Sequence, residues 1–326
     1  MKASNKNKKD WFKKTISAVV IFGIAGIAAA ETGEEVVVDN TSAQFDQGIA
    51  LLENAATTAD LAQAKGLIIS AANAGNPRAQ LFMGILTLKD SEHAALPWFQ
   101  KAADQGEAIA QLKVGDLLSK GQHIPRDLDQ AAQYYRKAAD QQHPTAMLEL
   151  AKYYEKGEGR WKNVTWAANW YRRAARAGNM ESILKTGDNY RNGEGLEHNG
   201  SEAFAWYRKA AFSKNVVGFV KVAECYEEGL GAPLDLREAA GWYEKAAKAG
   251  HAGAQYKLAQ AFLKGVGVEE NKVKAYTWLK KAADQGVGSE ELATLAAELS
   301  AEEIAEADRQ LASTTEDTEV KLSMLQ

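Results

Sequence analysis

The sequence predicts an all-α fold, a right-handed superhelical solenoid of helix-turn-helix repeats, and three observations predict it. The first is the hexapeptide Trp242-Tyr243-Glu244-Lys245-Ala246-Ala247, which recurs every 36 residues. Its copies are Trp98-Phe99-Gln100-Lys101-Ala102-Ala103, Tyr134-Tyr135-Arg136-Lys137-Ala138-Ala139, Trp170-Tyr171-Arg172-Arg173-Ala174-Ala175, Trp206-Tyr207-Arg208-Lys209-Ala210-Ala211 and Trp278-Leu279-Lys280-Lys281-Ala282-Ala283. A fixed period of this size marks stacked repeats. The second observation is the glycines between copies, Gly121, Gly157, Gly193, Gly229 and Gly265, with a second at Gly159, Gly195, Gly231 and Gly267. Glycine takes positive φ without steric cost, so these pairs read as sharp turns after a helix. The third is a helical pattern of small residues (Gly115, Ala151, Gly187, Ala223, Ala259) each three ahead of a large one (Leu118, Tyr154, Tyr190, Tyr226, Phe262). Small positions let two helix axes approach, and large ones fill the remaining gap.

The elements follow in chain order. Lys2, Lys6, Lys8, Lys9, Lys13 and Lys14 precede an apolar run from Ile16 to Ile27 and then Ala28-Ala29-Ala30. A basic start, a short apolar stretch and small residues are the layout of a secretory signal peptide, expected here over residues 1–30. The run falls short of the about 20 residues of a membrane span, so membrane attachment is expected only if this segment stays uncleaved. The acidic residues 31–41 read as a flexible lead-in, and residues 42–75 as a degenerate helix pair closed by Gly75. Regular units then run over residues 76–286, each an A helix, a glycine-marked loop and a B helix. The first unit is about five loop residues short, since Gly75 and Gly106 are 31 apart. Pro125 and Pro233 fall in loops, where no amide donor is needed. B helices carry Ala95, Ala131, Ala167, Ala203, Ala239 and Ala275 at one slot. Trp242 lies three residues after Ala239 and four before Ala246, on one face. The next hairpin is expected to dock on that face, with the tryptophans as its main apolar contact at roughly 2–3 kcal/mol each. Residues 287–312 read as capping helices opened by Ser289 and Ser300, the second with a capping box to Glu303. Residues 313–326 read as a disordered tail.

Composition narrows the function. Hydrophobic residues make up 46% and charged residues 25%, ordinary for a folded chain. Residues 1–30 hold six lysines and one aspartate, which leaves 33 basic and 42 acidic side chains beyond them. That acidic balance argues against nucleic acid as a partner. The single cysteine, Cys225, has no internal partner and sits where other units carry Leu117, Tyr153, Asn189 and Ala261, so it reads as a plain helix residue. His93, His123, His143, His198 and His251 show no metal-ligand spacing, and no cofactor, metal or catalytic residue is expected. His143 and His251 share the slot before an A helix with Asn179 and Asn215, which marks a polar helix start.

The paired helices, G-x-G loops and W-Y-x-K-A-A-x-x-G close resemble Sel1-like repeats, the longer-loop relatives of tetratricopeptide repeats, over residues 76–286. Departures are Tyr134 for the tryptophan, Lys214 for the closing glycine and Glu197 where proline is frequent. The resemblance implies an adaptor rather than an enzyme, with secreted bacterial members resembling regulators of envelope sensors, exopolysaccharide and motility systems, and host-interaction proteins. A cysteine-rich branch that binds or hydrolyses β-lactams carries two cysteines per repeat, against one in this whole chain.

The repeat also filters candidate contacts, because a residue that breaks an otherwise polar slot stands out. Trp166 replaces Gln130, Glu202, Glu238 and Lys274. Trp161 replaces Pro125, Glu197, Pro233 and Glu269. Phe212 replaces Asp104, Asp140, Arg176, Lys248 and Asp284. Exposed aromatics mark interaction sites, and Arg172, Arg173 and Arg176 lie nearby in sequence. The alternative is that Trp161 and Trp166 fold over local apolar surface. The expected function is therefore protein or peptide recognition in the periplasm or outside the cell, through a concave groove. A polysaccharide or peptidoglycan partner is the rival.

Overall fold

The computed structural model describes residues 40–157 and 162–311, and every regular element among them is an α-helix. The expected signal peptide, residues 31–39 of the lead-in, Trp161 and the tail 313–326 lie outside the described residues. The chain divides into two compact units, Met1–Asn163 and Val164–Gln326.

In the first unit, α1 (Asn40–Asn54) and α2 (Thr58–Asn73) pair as a hairpin. The first helix starts at Asn40, so the lead-in is two residues shorter than the sequence reading gave it. The reason is local: Asn76 Nδ2 donates to Thr41 Oγ1 and Ser42 Oγ, tying that first turn to the next hairpin. Thr57 and Asp60 form a capping box that starts α2. Then come α3 (Pro77–Leu88) with α4 (Glu92–Asp104), α5 (Ala108–Lys120) with α6 (Leu128–Asp140), and α7 (Pro144–Lys156). Phe45, Ile49, Leu52, Ile68 and Phe82 make the core of the degenerate pair and its neighbour.

The second unit continues with α8 (Val164–Arg176), α9 (Met180–Asn192) and α10 (Gly200–Phe212), α11 (Val216–Glu228) and α12 (Leu236–Lys248), then α13 (Ala252–Lys264) and α14 (Lys272–Ala283). The helix α15 (Ser289–Glu298) and a final helix α16 over 301–311 close it. Gly288, left-handed at φ 77°, precedes α15, so Ser289 is its first helical residue rather than its side-chain cap. Ser300 and Glu303 do form the expected capping box, with Glu303 Oε2 accepting from the Ser300 amide at 2.8 Å.

Helix starts match the polar slot: His143, Asn179, Asn215 and His251 each accept an amide proton from three residues on. A helices end on left-handed glycines, Gly121 through Gly265, at φ of 62–71°. The second loop glycines Gly195, Gly231 and Gly267 take the positive φ expected of them, at 71–74°, and have a further duty. A Cβ on Gly231 would sit 2.0 Å from the Gly200 carbonyl oxygen, and one on Gly267 2.0 Å from that of Leu236. These glycines let each loop lie on the first turn of the preceding B helix.

The aromatic pair also corrects the expectation. The second residue of the pair is the buried one: Phe99, Tyr135, Tyr171, Tyr207, Tyr243 and Leu279 all lie in the core. It fills the space opened by the small A-helix residue of the same hairpin. A Cβ on Gly84, Gly115 or Gly187 would meet the ring of Phe99, Tyr135 or Tyr207 at 2.5–2.6 Å. Of the hexapeptide tryptophans, Trp98, Trp206, Trp242 and Trp278 are half-buried and Trp170 is buried. The hexapeptide's basic residue lies over each first ring, with Lys101 5.0 Å from Trp98, Lys137 5.0 Å from Tyr134 and Arg173 4.0 Å from Trp170. Lys209, Lys245 and Lys281 repeat this over Trp206, Trp242 and Trp278. Charge over an aromatic face, three residues along a helix, explains the recurring W-Y-x-K order.

Candidate functional site

Trp166 stands on the first turn of α8 and is 53% exposed, although it is a large aromatic in an amphipathic helix. Its helix buries Ala167, Ala168, Trp170, Tyr171, Ala174 and Ala175, which turns residue 166 to the outside. The three arginines part ways. Arg172 is half-buried and spends its guanidinium on Asn169 Oδ1 at 2.9 Å and Tyr190 Oη at 3.3 Å. Arg173 covers Trp170, as the equivalent lysines do in other units. Arg176 is exposed at the helix end.

Phe212 is 66% exposed at the end of α10, with Arg208 stacked 5.2 Å from its ring. In repeat register it falls on the slot of Arg176, ten residues beyond that of Trp166, or about 15 Å along a helix axis. Trp166 and Phe212 are thus separate exposed features, and the arginine run joins neither one whole. Trp161 lies outside the described residues.

A second feature was missed from sequence. On the A helices of the second unit, Arg191 bridges Glu224 at 3.0 Å and Glu228 at 2.7 Å, while Lys221 reaches Asp188 at 3.6 Å. Lys257 pairs with Glu227 at 3.2 Å, and Tyr243 Oη donates to the same carboxylate at 2.6 Å. Burial pushes the Glu227 carboxyl up, but these bonds outweigh it and hold the group below its ordinary value. The signal was opposite charges 30–37 residues apart, which the register places on neighbouring A helices.

Four of the five histidines make structural contacts, and His93 is exposed. His143 and His251 are caps, His123 Nδ1 pairs with Glu92 at 3.2 Å, and His198 Nδ1 donates to the Arg191 carbonyl at 2.7 Å. Cys225 is fully buried, and burial pushes its thiol up to about 12. Among the described residues no group of three or more His, Cys, Asp or Glu could hold a metal ion, and no helix is long and apolar enough to cross a membrane. The second unit also holds an open depression of about 440 Å³, lined by Phe262, Glu244, Glu269 and Glu270 among others. Lys274 of the same chain sits 5.5 Å over that ring.

The Sel1 repeat model matches residues 78–107, 108–143, 144–179, 181–211, 220–251 and 252–287. The chain belongs to the Sel1 repeat family. Its fold is accordingly a helical-repeat solenoid, as the neighbours in structure also show. A Sel1 repeat protein from Oxalobacter formigenes is 32% identical, covers 78% of this chain and 76% of its own, and superposes with a TM-score of 0.62. The protein c5321, a protective antigen present in uropathogenic Escherichia coli strains and displaying an SLR fold, is 25% identical. That match covers 94% of this chain and 71% of c5321, with a TM-score of 0.61. No functionally curated protein matches the chain. Sel1 repeat proteins generally mediate protein–protein interaction, and the Sel1 scaffold is generally non-catalytic.

Proposed function

We propose that this Sel1 repeat protein is a non-catalytic interaction scaffold of the bacterial cell envelope, an adaptor or regulator of an envelope sensor, exopolysaccharide or motility system. The observation that carries the reading is Trp166, a tryptophan more than half exposed in a slot filled by Gln130, Glu202, Glu238 and Lys274 elsewhere. A tryptophan gives large contact area when a partner covers it, and such residues dominate binding energy at protein interfaces. Export rests on the basic, apolar and small-residue order of residues 1–30. The role is set apart from that of the cysteine-rich, β-lactam-acting branch by the lone buried thiol.

The test uses Trp166→Gln, which copies Gln130 in the same slot and so suits the helix. The native chain on beads should recover a protein from an envelope extract that Trp166→Gln does not, with unchanged circular dichroism. Loss of peptidoglycan or polysaccharide binding in place of protein binding would move the reading to a glycan-binding module. Equal recovery by both chains would remove Trp166 from the contact.

A further inference from the structure

One slot at the C-terminal end of the B helices changes character within the second unit. It reads Asp104 and Asp140 in the first unit, then Arg176, Phe212 and Lys248, then Asp284. All three residues that replace the acid are exposed, and Phe212, at 66%, is the most exposed large apolar side chain among the described residues. The Arg208 guanidinium lies 5.2 Å from the Phe212 ring and 5.6 Å from that of Phe204, which holds it at the rim. The turn at 213–215 follows. There Lys214 stands at φ 60°, where the equivalent Gly106, Gly178, Gly250 and Gly286 also have positive φ. That conformation disfavours any residue with a Cβ, and Gln142 is the other departure in the slot. Beyond the turn, Val217 is 41% exposed.

The edge therefore combines an apolar centre with Arg208 and Lys214, and Arg176 holds the same slot one hairpin earlier, in a chain whose acidic side chains outnumber its basic ones beyond residue 30. Among the described residues neither Arg176 nor Lys214 has an acidic partner, whereas Glu224, Glu227 and Glu228 on the A helices are already paired. We infer that this turn edge binds an acidic peptide segment of a protein partner, one that carries a large apolar side chain. The inference rests on the scaffold reading above and names a partner class for a surface apart from Trp166. The apolar side chain packs on Phe212 and Val217. The segment's carboxylates take paired hydrogen bonds from Arg208 and a point charge from Lys214. An aromatic centre inside a charged rim is the arrangement that concentrates binding energy and sets specificity. An anionic polysaccharide has no need of the apolar centre, so the two partners separate on Phe212.

The experiment selects random short peptides on the purified chain, then measures a labelled winner by fluorescence anisotropy. The repeat supplies variants its own fold already tolerates: Phe212→Asp copies Asp104, Arg208→Glu copies Glu244, and Lys214→Gly copies Gly178. Leu234→Glu copies Glu270 and alters an exposed apolar residue away from the edge. Selected peptides should be net acidic with one large apolar residue. Phe212→Asp and Arg208→Glu should each weaken binding about tenfold or more, and Leu234→Glu less than about twofold. Lys214→Gly should weaken binding while raising the melting temperature, the opposite signs expected of a strained binding residue. Selection of peptides without acidic bias, or affinity for Phe212→Asp within about twofold of native, would overturn the inference. So would dextran sulfate that binds native and Phe212→Asp chains alike and displaces the peptide, since that describes a general polyanion surface. Each of these outcomes is independent of the Trp166→Gln capture, so the edge and the scaffold reading fail separately.

Discussion

Replacing Tyr207 should cost more than replacing its larger neighbour Trp206, and the structure sets the margin. Tyr207 is wholly buried against Ala203, Ala211, Val222 and Cys225, its ring pressed on Gly187. Truncating a buried aromatic costs about 3–5 kcal/mol. Tyr207 Oη also donates to Asp188 Oδ1 at 2.7 Å, which places Tyr207→Ala at the upper end of that range. Trp206 is half-buried against the cluster of Ala175, Ile183 and Ala210, with Lys209 5.1 Å over its ring. Losing about half of a full aromatic burial and one partly exposed cation contact comes to about 1.5–2.5 kcal/mol. Tyr207→Phe removes only the bond to Asp188, whose other partner Lys221 at 3.6 Å remains, and should cost about 1.5 kcal/mol. Urea titration followed by far-ultraviolet circular dichroism measures all three. A Trp206→Ala loss equal to or above that of Tyr207→Ala would refute the division of labour within the aromatic pair.

Three further outcomes follow from the same packing. Gly231→Ala should destabilise strongly, by about 3 kcal/mol or more, because its Cβ meets the Gly200 carbonyl at positive φ, whereas Gly241→Ala, with open space on α12, should stabilise by about 0.5–1 kcal/mol; thermal melts read both signs. His143 is held below its ordinary value by burial and then by Lys113, so the unfolded chain binds the proton better and stability should fall as pH drops through about 6.5. His143→Asn, the cap used at Asn179 and Asn215, should remove that part of the pH dependence in urea midpoints measured from pH 8 to 5 (a range set by the about 6.5 ordinary value). Cys225, fully buried and with its thiol raised to about 12, should resist Ellman's reagent in the folded chain and react at once in denaturant; rapid native reaction would contradict its placement.

The fold was legible because each landmark recurs in register. Helix ends, polar starts and the small-to-large contacts all follow from spacing, and Gly121 through Gly265 cap their helices as read. What was less legible turns on direction rather than position. Spacing places Trp242 and Tyr243 side by side but does not say which ring faces the small A-helix residue. The second loop glycine is the turn former its spacing suggests, but its close approach to the carbonyl at residue 200 or 236 was hidden because that neighbour is 31 residues away. The candidate site was legible one residue at a time. Trp166 and Phe212 are exposed where the slots are polar, yet their neighbouring arginines were grouped by sequence proximity alone. Tyr190 and Asn169 claim Arg172, and Trp170 claims Arg173, through contacts that only the packed helices reveal.

The most direct measurement for a surface that works by recognition is photo-crosslinking inside the cell. A photoreactive phenylalanine analogue replaces Trp166 in one strain and Glu202, the same slot one hairpin later, in another. Position 166 should yield a discrete crosslinked protein that position 202 does not. Identical crosslinking patterns from the two positions would contradict the account.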